Sequence, residues 1–144
     1  MNDPHLDLSA LRNALDLLQA AVGVVDDSLW FRAQSPAVQN TLLAGAIQNF
    51  EAVYDLSVRM IRRQLELDAD SPAEVDQSSF RDIMRLASEN GLIDDVEAWF
   101  FCRRMRNISA HSYDRAKGRQ VYQDTLNFAG DARSLLQRLV ARNA

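Results

Sequence analysis

The sequence predicts an all-α protein, an up-and-down helical bundle of about five helices in a single domain. Apolar residues make up 47% of the 144 residues, and the chain contains only five glycines and three prolines, which favours long helices over many turns. Apolar side chains recur at steps of three and four over most of the sequence, and no segment alternates as a strand does. Residues 1–7 are expected to form a loose polar tail.

The first two predicted helices carry the clearest periodicity. The first runs from about Leu8 to Leu29 with one apolar stripe. Ser35 and Pro36 then supply an N-cap and a first-turn proline, which start the second helix. That helix continues to about Leu67, and its apolar face is so broad that more than one neighbour is needed to cover it.

The third predicted helix is shorter, from about Ser78 to Glu89. A capping box is predicted just before it, at Ser71 and Glu74. Gly91 follows the helix, where it can take the left-handed conformation that ends many helices.

Two more helices complete the predicted bundle. Asp94 and Glu97 have the spacing of a capping box and open the fourth helix, which extends through Arg106. The fifth helix begins after Asp114 and continues past Leu139.

Composition excludes several classes of function. The glycines are scattered singly, so no glycine-rich phosphate loop is present, and two histidines are too few for a histidine metal site. We therefore expect no metal and no cofactor, although the twenty carboxylates leave a carboxylate-only magnesium site open. No segment has the character of a signal peptide or a membrane span. The single cysteine, Cys102, lies among aromatic residues, which favours buried packing. One cysteine cannot form an internal disulfide, which agrees with a reducing cytoplasm.

Charge is distributed unevenly along the chain. Residues 1–100 carry 7 basic and 17 acidic side chains, whereas residues 101–144 carry 9 basic and 3 acidic ones. Six of the sixteen basic residues fall between Arg103 and Gln120, around His111. This pattern indicates a local anion-binding site, and the alternative is a solvated helix face opposite an acidic neighbour.

The residues of that segment fit phosphodiester chemistry. His111 can act as a general acid or base, and Arg106 can hold a phosphate and stabilise charge that develops on it. Without a metal, the simplest reaction is ribonucleolytic transesterification, in which the 2′-OH of RNA attacks the adjacent phosphate. Asn107 is a candidate for orienting the imidazole or the phosphate. The remaining candidates for contact with an RNA backbone are Arg103, Arg104, Arg115, Lys117 and Arg119.

Helix geometry restricts how Arg106 and His111 can meet. Residues five apart on a regular α-helix diverge by about 140° around its axis. The two side chains can converge if the helix ends or distorts near Ala110, or if two copies of the chain pool their residues in a shared cleft.

The segment RNISAHSYD, residues 106–114, resembles the R-x4-H-x-Y motif of the HEPN superfamily. This form is typical of HepT-type toxins and of the related nucleotidyltransferase substrate-binding proteins. The resemblance covers roughly residues 8–140, with Asn49 standing where the family commonly has an arginine. It extends to these further positions: Gln48, Phe50, Glu51, Tyr54, Asp55, Leu56, Arg59, Phe80, Arg81, Gly91, Leu92, Ile93, Asp94 and Trp99.

The resemblance implies a homodimeric helical bundle with the motif in a cleft at the dimer interface. It also implies a partner, a small MNT-type nucleotidyltransferase. In HepT-type (type VII) pairs the HEPN protein is an RNase toxin, and the nucleotidyltransferase is the antitoxin that can transfer AMP to the motif tyrosine, here Tyr113. AMP there would add bulk and negative charge beside Arg106.

Three functions remain open at this point. The first is a metal-independent endoribonuclease toxin inhibited by its nucleotidyltransferase. The second is a non-catalytic subunit that presents substrate or nucleotide to a nucleotidyltransferase. The third is a purely structural helical dimerisation protein.

Overall fold

The fold is all-α, as predicted. The structure, a computed structural model, describes residues 5–111 and 115–144, without the side chains of residues 109–111 and 115–118. The described residues contain no strand and form seven helices. In chain order these are α1 (Ser9–Asp26), α2 (Ser28–Arg32), α3 (Pro36–Asp68), α4 (Pro72–Asp76), α5 (Phe80–Glu89), α6 (Val96–His111) and α7 (Arg115–Arg142).

The five predicted helices correspond to the five longer ones. The two additional helices, α2 and α4, have five residues each. Helix α2 lies at the end of the first predicted helix, and α4 follows the helix-start signal predicted at Ser71. Over the residues that the structure describes, no helix combines the length and apolar character that crossing a bilayer requires.

Helix α3 is the central element of the bundle. It has 33 residues and contacts α1, α4, α5, α6 and α7. This confirms that its broad apolar face is shared among several neighbours. The buried hydrophobic residues of that face are Leu43, Ala46, Phe50, Val53, Tyr54, Met60, Ile61 and Leu65.

An aromatic cluster fastens α3, α6 and α7 together. Phe128 of α7 is 1% exposed and meets Phe50 of α3 edge-to-face, with ring centroids 5.2 Å apart. Its ring makes the same kind of contact with Trp99 of α6 at 5.4 Å. Such pairs contribute about 1 kcal/mol each beyond the burial of their area, so Phe128 fixes how α6 lies against α3.

Local signals at two of the predicted helix boundaries are confirmed. The side-chain oxygen of Ser35 accepts a hydrogen bond from the backbone N–H of Val38, as an N-cap does. Gly91 has a φ of +77° just after α5, a conformation that a residue with a Cβ adopts at a cost.

Both predicted capping boxes are wrong in their details. The side chain of Ser71 makes no capping hydrogen bond, and α5 is capped by Ser79, whose hydroxyl accepts from the N–H of Asp82. At the start of α6 the cap is Asp95, whose carboxylate accepts from the backbone N–H groups of Glu97 and Ala98.

Asp94 pairs with the end of α7 and does not cap α6. Its carboxylate lies 2.6 Å from the guanidinium of Arg138, which also donates to the carbonyl of Gly91. One turn later, Arg142 donates to the carbonyl of Asn90 at 2.6 Å and pairs with Asp68 at 2.9 Å. The last turns of α7 therefore hold the turn between α5 and α6.

Asn143 extends this attachment to the N-terminal side of α1. Its side-chain oxygen accepts from the backbone N–H of Leu6 at 3.0 Å, and its amide nitrogen donates to Gln64 at 2.7 Å. Asp7 in turn accepts from the N–H and hydroxyl of Ser9. Within the segment predicted as a loose tail, residues 1–7, Leu6 is thus held by Asn143, while residues 1–4 lie outside the described part of the chain.

Replacing Asp95 with alanine is expected to lower the free energy of unfolding by about 1 kcal/mol, because the first turn of α6 loses its cap. The matched change at the neighbouring position, Asp94→Ala, removes only an exposed ion pair and should cost less. Urea unfolding followed by circular dichroism compares the two variants. An equal or larger loss for Asp94→Ala would contradict the assignment of the cap.

Candidate functional site

Arg106 is held on α6 by two carboxylates of α3. Its Nε and Nη2 donate to the two carboxylate oxygens of Asp55, each at 3.2 Å. Its Nη1 lies 2.9 Å from Oε2 of Glu51. Glu51 and Asp55 are four residues apart and so lie one above the other on the same face of α3.

These contacts fix both the orientation and the charge of Arg106. The hydrogen bonds to Asp55, followed by the charges of Asp55 and Glu51, raise the pKa of the guanidinium above its ordinary value, although partial burial opposes them. The side chain is 26% exposed. Arg106 is therefore a preorganised cation in a largely fixed position, which suits a group that stabilises charge on a phosphate.

The role of Glu51 and Asp55 was not predicted from the sequence. Their only signal was membership of the family's second-helix pattern, to which no function was assigned. Among the described residues, two carboxylates face one guanidinium, so nearby cations would favour the approach of a phosphodiester to Arg106.

The path of α6 sets where positions 106 and 111 lie around the helix axis. The helix remains α-helical through Ala110 to His111, so it neither ends nor distorts before the histidine. Positions 106 and 111 are consequently about 140° apart around the axis. The side chain of His111 lies outside the described residues.

The other candidate residues on α6 are exposed to solvent. The guanidinium of Arg103 lies 4.4 Å above the ring of Phe80, and that of Arg104 lies 5.7 Å from the ring of Phe101. Arg103, Arg104 and Asn107 are all exposed. Tyr113 and the side chains of Arg115 and Lys117 lie outside the described residues.

Arg119 lines a cleft of about 430 Å³ between α1, α2, α3 and α7. Another arginine, Arg32, lines the same cleft, and the hydroxyl of Tyr122 donates to Asp26 in its wall at 2.8 Å. Burial and this bond to Asp26 raise the pKa of Tyr122 above its ordinary value. The other lining residues are Val25, Ser28, Phe31, Gln39, Leu43 and Gln123.

The cleft and the Arg106 site meet α3 at different levels. Along α3, the nearest cleft residue to Glu51 is Leu43, and this separation of eight positions corresponds to about 12 Å of helix. Arg119 therefore lines this cleft, whereas Arg103, Arg104 and Arg106 do not.

Cys102 is packed in the core rather than poised for reaction. It is 4% exposed, and burial raises the pKa of its thiol to about 12, which suppresses the reactive thiolate. Among the residues that the structure describes, no group of three His, Cys, Asp or Glu side chains is arranged to hold a metal ion.

Comparison with known proteins gives matches over nearly the whole chain. Residues 6–141 match the family model described as nucleotidyltransferase substrate binding protein like. A protein of Haemophilus influenzae named probable ribonuclease HepT is 42% identical over 143 residues, which cover 99% of this chain and 98% of that protein.

A solved structure from Haemophilus influenzae shows the same fold. That structure is described as revealing the fold of a substrate binding domain of a nucleotidyltransferase. Its TM-score is 0.90 at 41% identity, and the match covers 92% of this chain and 98% of the other. The chain therefore belongs to the HepT-like family of nucleotidyltransferase substrate-binding proteins.

Proposed function

We propose that this protein is the toxin of a HEPN–MNT toxin–antitoxin pair, a metal-independent endoribonuclease that its cognate nucleotidyltransferase inhibits. The observation that supports it best is the fixed guanidinium of Arg106, held by Asp55 and Glu51 at the head of an intact R-x4-H-x-Y motif. The relative named probable ribonuclease HepT shares this family at 42% identity.

The proposed reaction uses the 2′-OH of RNA as the nucleophile. His111 removes its proton while the 2′-oxygen bonds to phosphorus, and Arg106 stabilises the charge on the phosphate oxygens. The P–O5′ bond then breaks, and the departing 5′-oxygen takes a proton from the imidazolium or from water. The products are a 2′,3′-cyclic phosphate and a 5′-hydroxyl, and DNA is not cut because it lacks the 2′-OH.

The reaction centre is proposed to lie between two copies of the chain. Because α6 is regular from Arg106 to His111, one copy presents the two positions about 140° apart. In a two-fold dimer, Arg106 of one protomer can face His111 of its partner. Asn107 on the exposed side of α6 is the candidate for orienting the imidazole or the phosphate.

The cationic residues around the motif are proposed to contact RNA phosphates. Arg103, Arg104 and Arg119 are exposed to solvent, and Arg115 and Lys117 belong to the first turn of α7. The partner that controls this surface is proposed to be an MNT-type nucleotidyltransferase, which transfers AMP to Tyr113. The negative charge of AMP would then compete with RNA for the nearby arginines.

The second candidate function is a non-catalytic subunit that presents substrate or nucleotide to the nucleotidyltransferase. The description of the related solved structure supports this alternative. So does the cleft of about 430 Å³ lined by Arg32 and Arg119, since pockets of this size hold small ligands.

The variant His111→Ala is expected to lose RNA cleavage by at least about a hundredfold, because proton transfer contributes that much or more. Cleavage by the parental protein should persist in EDTA and yield 2′,3′-cyclic phosphate ends, which can be identified by mass spectrometry. Circular dichroism and size-exclusion chromatography serve as controls for folding and assembly. RNA binding without cleavage by the parental protein would favour the substrate-binding subunit.

Mixing two inactive variants tests whether the site is shared between protomers. In a dimer of Arg106→Ala with His111→Ala, one of the two composite sites keeps both residues. With free subunit exchange, the mixture should regain about a quarter of the parental cleavage rate. A mixture that forms heterodimers but stays as inactive as its parts would show that each copy uses its own pair.

Replacing Tyr113 with phenylalanine removes the hydroxyl that accepts AMP in the proposed inhibition. The variant should still cleave RNA but should gain no mass of AMP when it is incubated with the nucleotidyltransferase and ATP. Intact mass spectrometry measures the modification. If Tyr113→Phe is modified as fully as the parental protein, Tyr113 is not the acceptor.

A further inference from the structure

Two arginines and two phenylalanines form a reciprocal stack between α5 and α6. Arg81 of α5 lies over the ring of Phe100 of α6, with 4.5 Å between its guanidinium carbon and the ring centroid. Arg103 of α6 lies over Phe80 of α5 at 4.4 Å. The two rings are themselves in contact, with centroids 6.1 Å apart and planes tilted by 53°.

The rings of this stack are anchored while the guanidinium groups remain accessible. Phe100 is 8% exposed and belongs to the core, and Phe80 packs against that core. Arg81 and Arg103 are both exposed. In the described part of the chain neither arginine forms an ion pair, in contrast to Arg106 with its two carboxylates.

The stack leads toward the motif arginine. Arg103 precedes Arg106 by three residues, so the two lie next to each other on α6. The positive charges of Arg103 and Arg106 also oppose the rise in the pKa of Tyr54 that burial causes. Arg81, Arg103 and Arg106 thus form a row of cations that starts on α5 and ends at the candidate site.

A guanidinium stacked on a ring retains two ways of binding nucleic acid. Its edge can donate hydrogen bonds to a phosphate, and its outer face can stack on a base. Bases are available for stacking only where the strand is unpaired. A lysine in the same place would offer charge without the planar face.

We propose that Arg81, Arg103, Phe80 and Phe100 form a stacking platform that binds single-stranded RNA and directs it to Arg106. This inference rests on the proposed ribonuclease function for the identity of its ligand. It assigns a binding role to Arg81, which lies outside the motif. It also accounts for the approach of a phosphodiester to Arg106, because the two arginines supply positive charge that Glu51 and Asp55 do not neutralise.

The test measures binding without cleavage. The probe is a fluorescent single-stranded 2′-O-methyl RNA, which lacks the free 2′-OH and cannot be cut by transesterification. Its affinity is measured by anisotropy at several salt concentrations. The double variant Arg81→Ala/Arg103→Ala should bind at least about tenfold more weakly, since each stacked base contributes measurably to affinity.

Two further variants separate stacking from charge. Arg81→Lys/Arg103→Lys keeps the charge but loses the planar face, so the affinity for RNA should fall while its salt dependence stays near the parental value. In the alanine variant the slope of that salt dependence should decrease by about 0.7 for each phosphate that is no longer bound. Arg12→Ala is the matched control, because Arg12 is exposed on α1, far in sequence from the stack, and carries the same charge. It should bind like the parental protein, and circular dichroism confirms folding.

Three outcomes would overturn the platform. The first is an equal loss of RNA affinity for Arg12→Ala and the double alanine variant, and the second is an unchanged RNA affinity in the lysine variant. The third is a double alanine variant that binds RNA like the parental protein but no longer binds the nucleotidyltransferase. The last would make the stack a protein-docking surface. Failure of the ribonuclease proposal is separately visible, because a protein that cuts no RNA can still bind the 2′-O-methyl probe through Arg81 and Arg103.

Discussion

The edge-to-face packing of Phe128 against Phe50 and Trp99 sets the geometry on which the candidate site depends. These ring pairs, at 5.2 and 5.4 Å, bring α3, α6 and α7 into one aromatic cluster. Aromatic rings packed edge to face tolerate little sliding, because a shift along the helix axis disrupts both their separation and their relative orientation. Apolar packing therefore fixes the register of α6 on α3.

The charged site is built on the residues next to that cluster. On α3, Phe50 and Tyr54 face the core, and Glu51 and Asp55, each one position later, face Arg106. A regular helix turns by about 100° per residue, so the same two turns supply the core on one side and the carboxylates on the next. The apolar packing therefore stabilises the position of Arg106 between its two carboxylates. The ion pairs themselves contribute little net stability at a partly exposed site.

What could be predicted from the sequence was local in origin. The apolar periodicity of α3, the cap at Ser35 and the left-handed Gly91 each depend on a few neighbouring residues. Asp94, which was predicted to cap α6, pairs instead with Arg138, which is 44 residues away in the chain. The partners of Arg106 are also distant in the chain, 51 residues for Asp55, so the motif identified the arginine but not the carboxylates that orient it. The stack of Arg81 on Phe100 was missed for the same reason.

The hydrogen bond from the backbone of Leu6 to the side chain of Asn143 gives the molecule an internal reporter. The Leu6 amide can exchange with solvent deuterium only when this hydrogen bond opens, and Asn143 lies beside the two arginines that clasp the α5–α6 turn. Its exchange rate would therefore record how often the contact between the N-terminal segment and the end of α7 opens. If the end of α7 frays, its contacts with the start of α1, the end of α3 and the α5–α6 turn would be lost together.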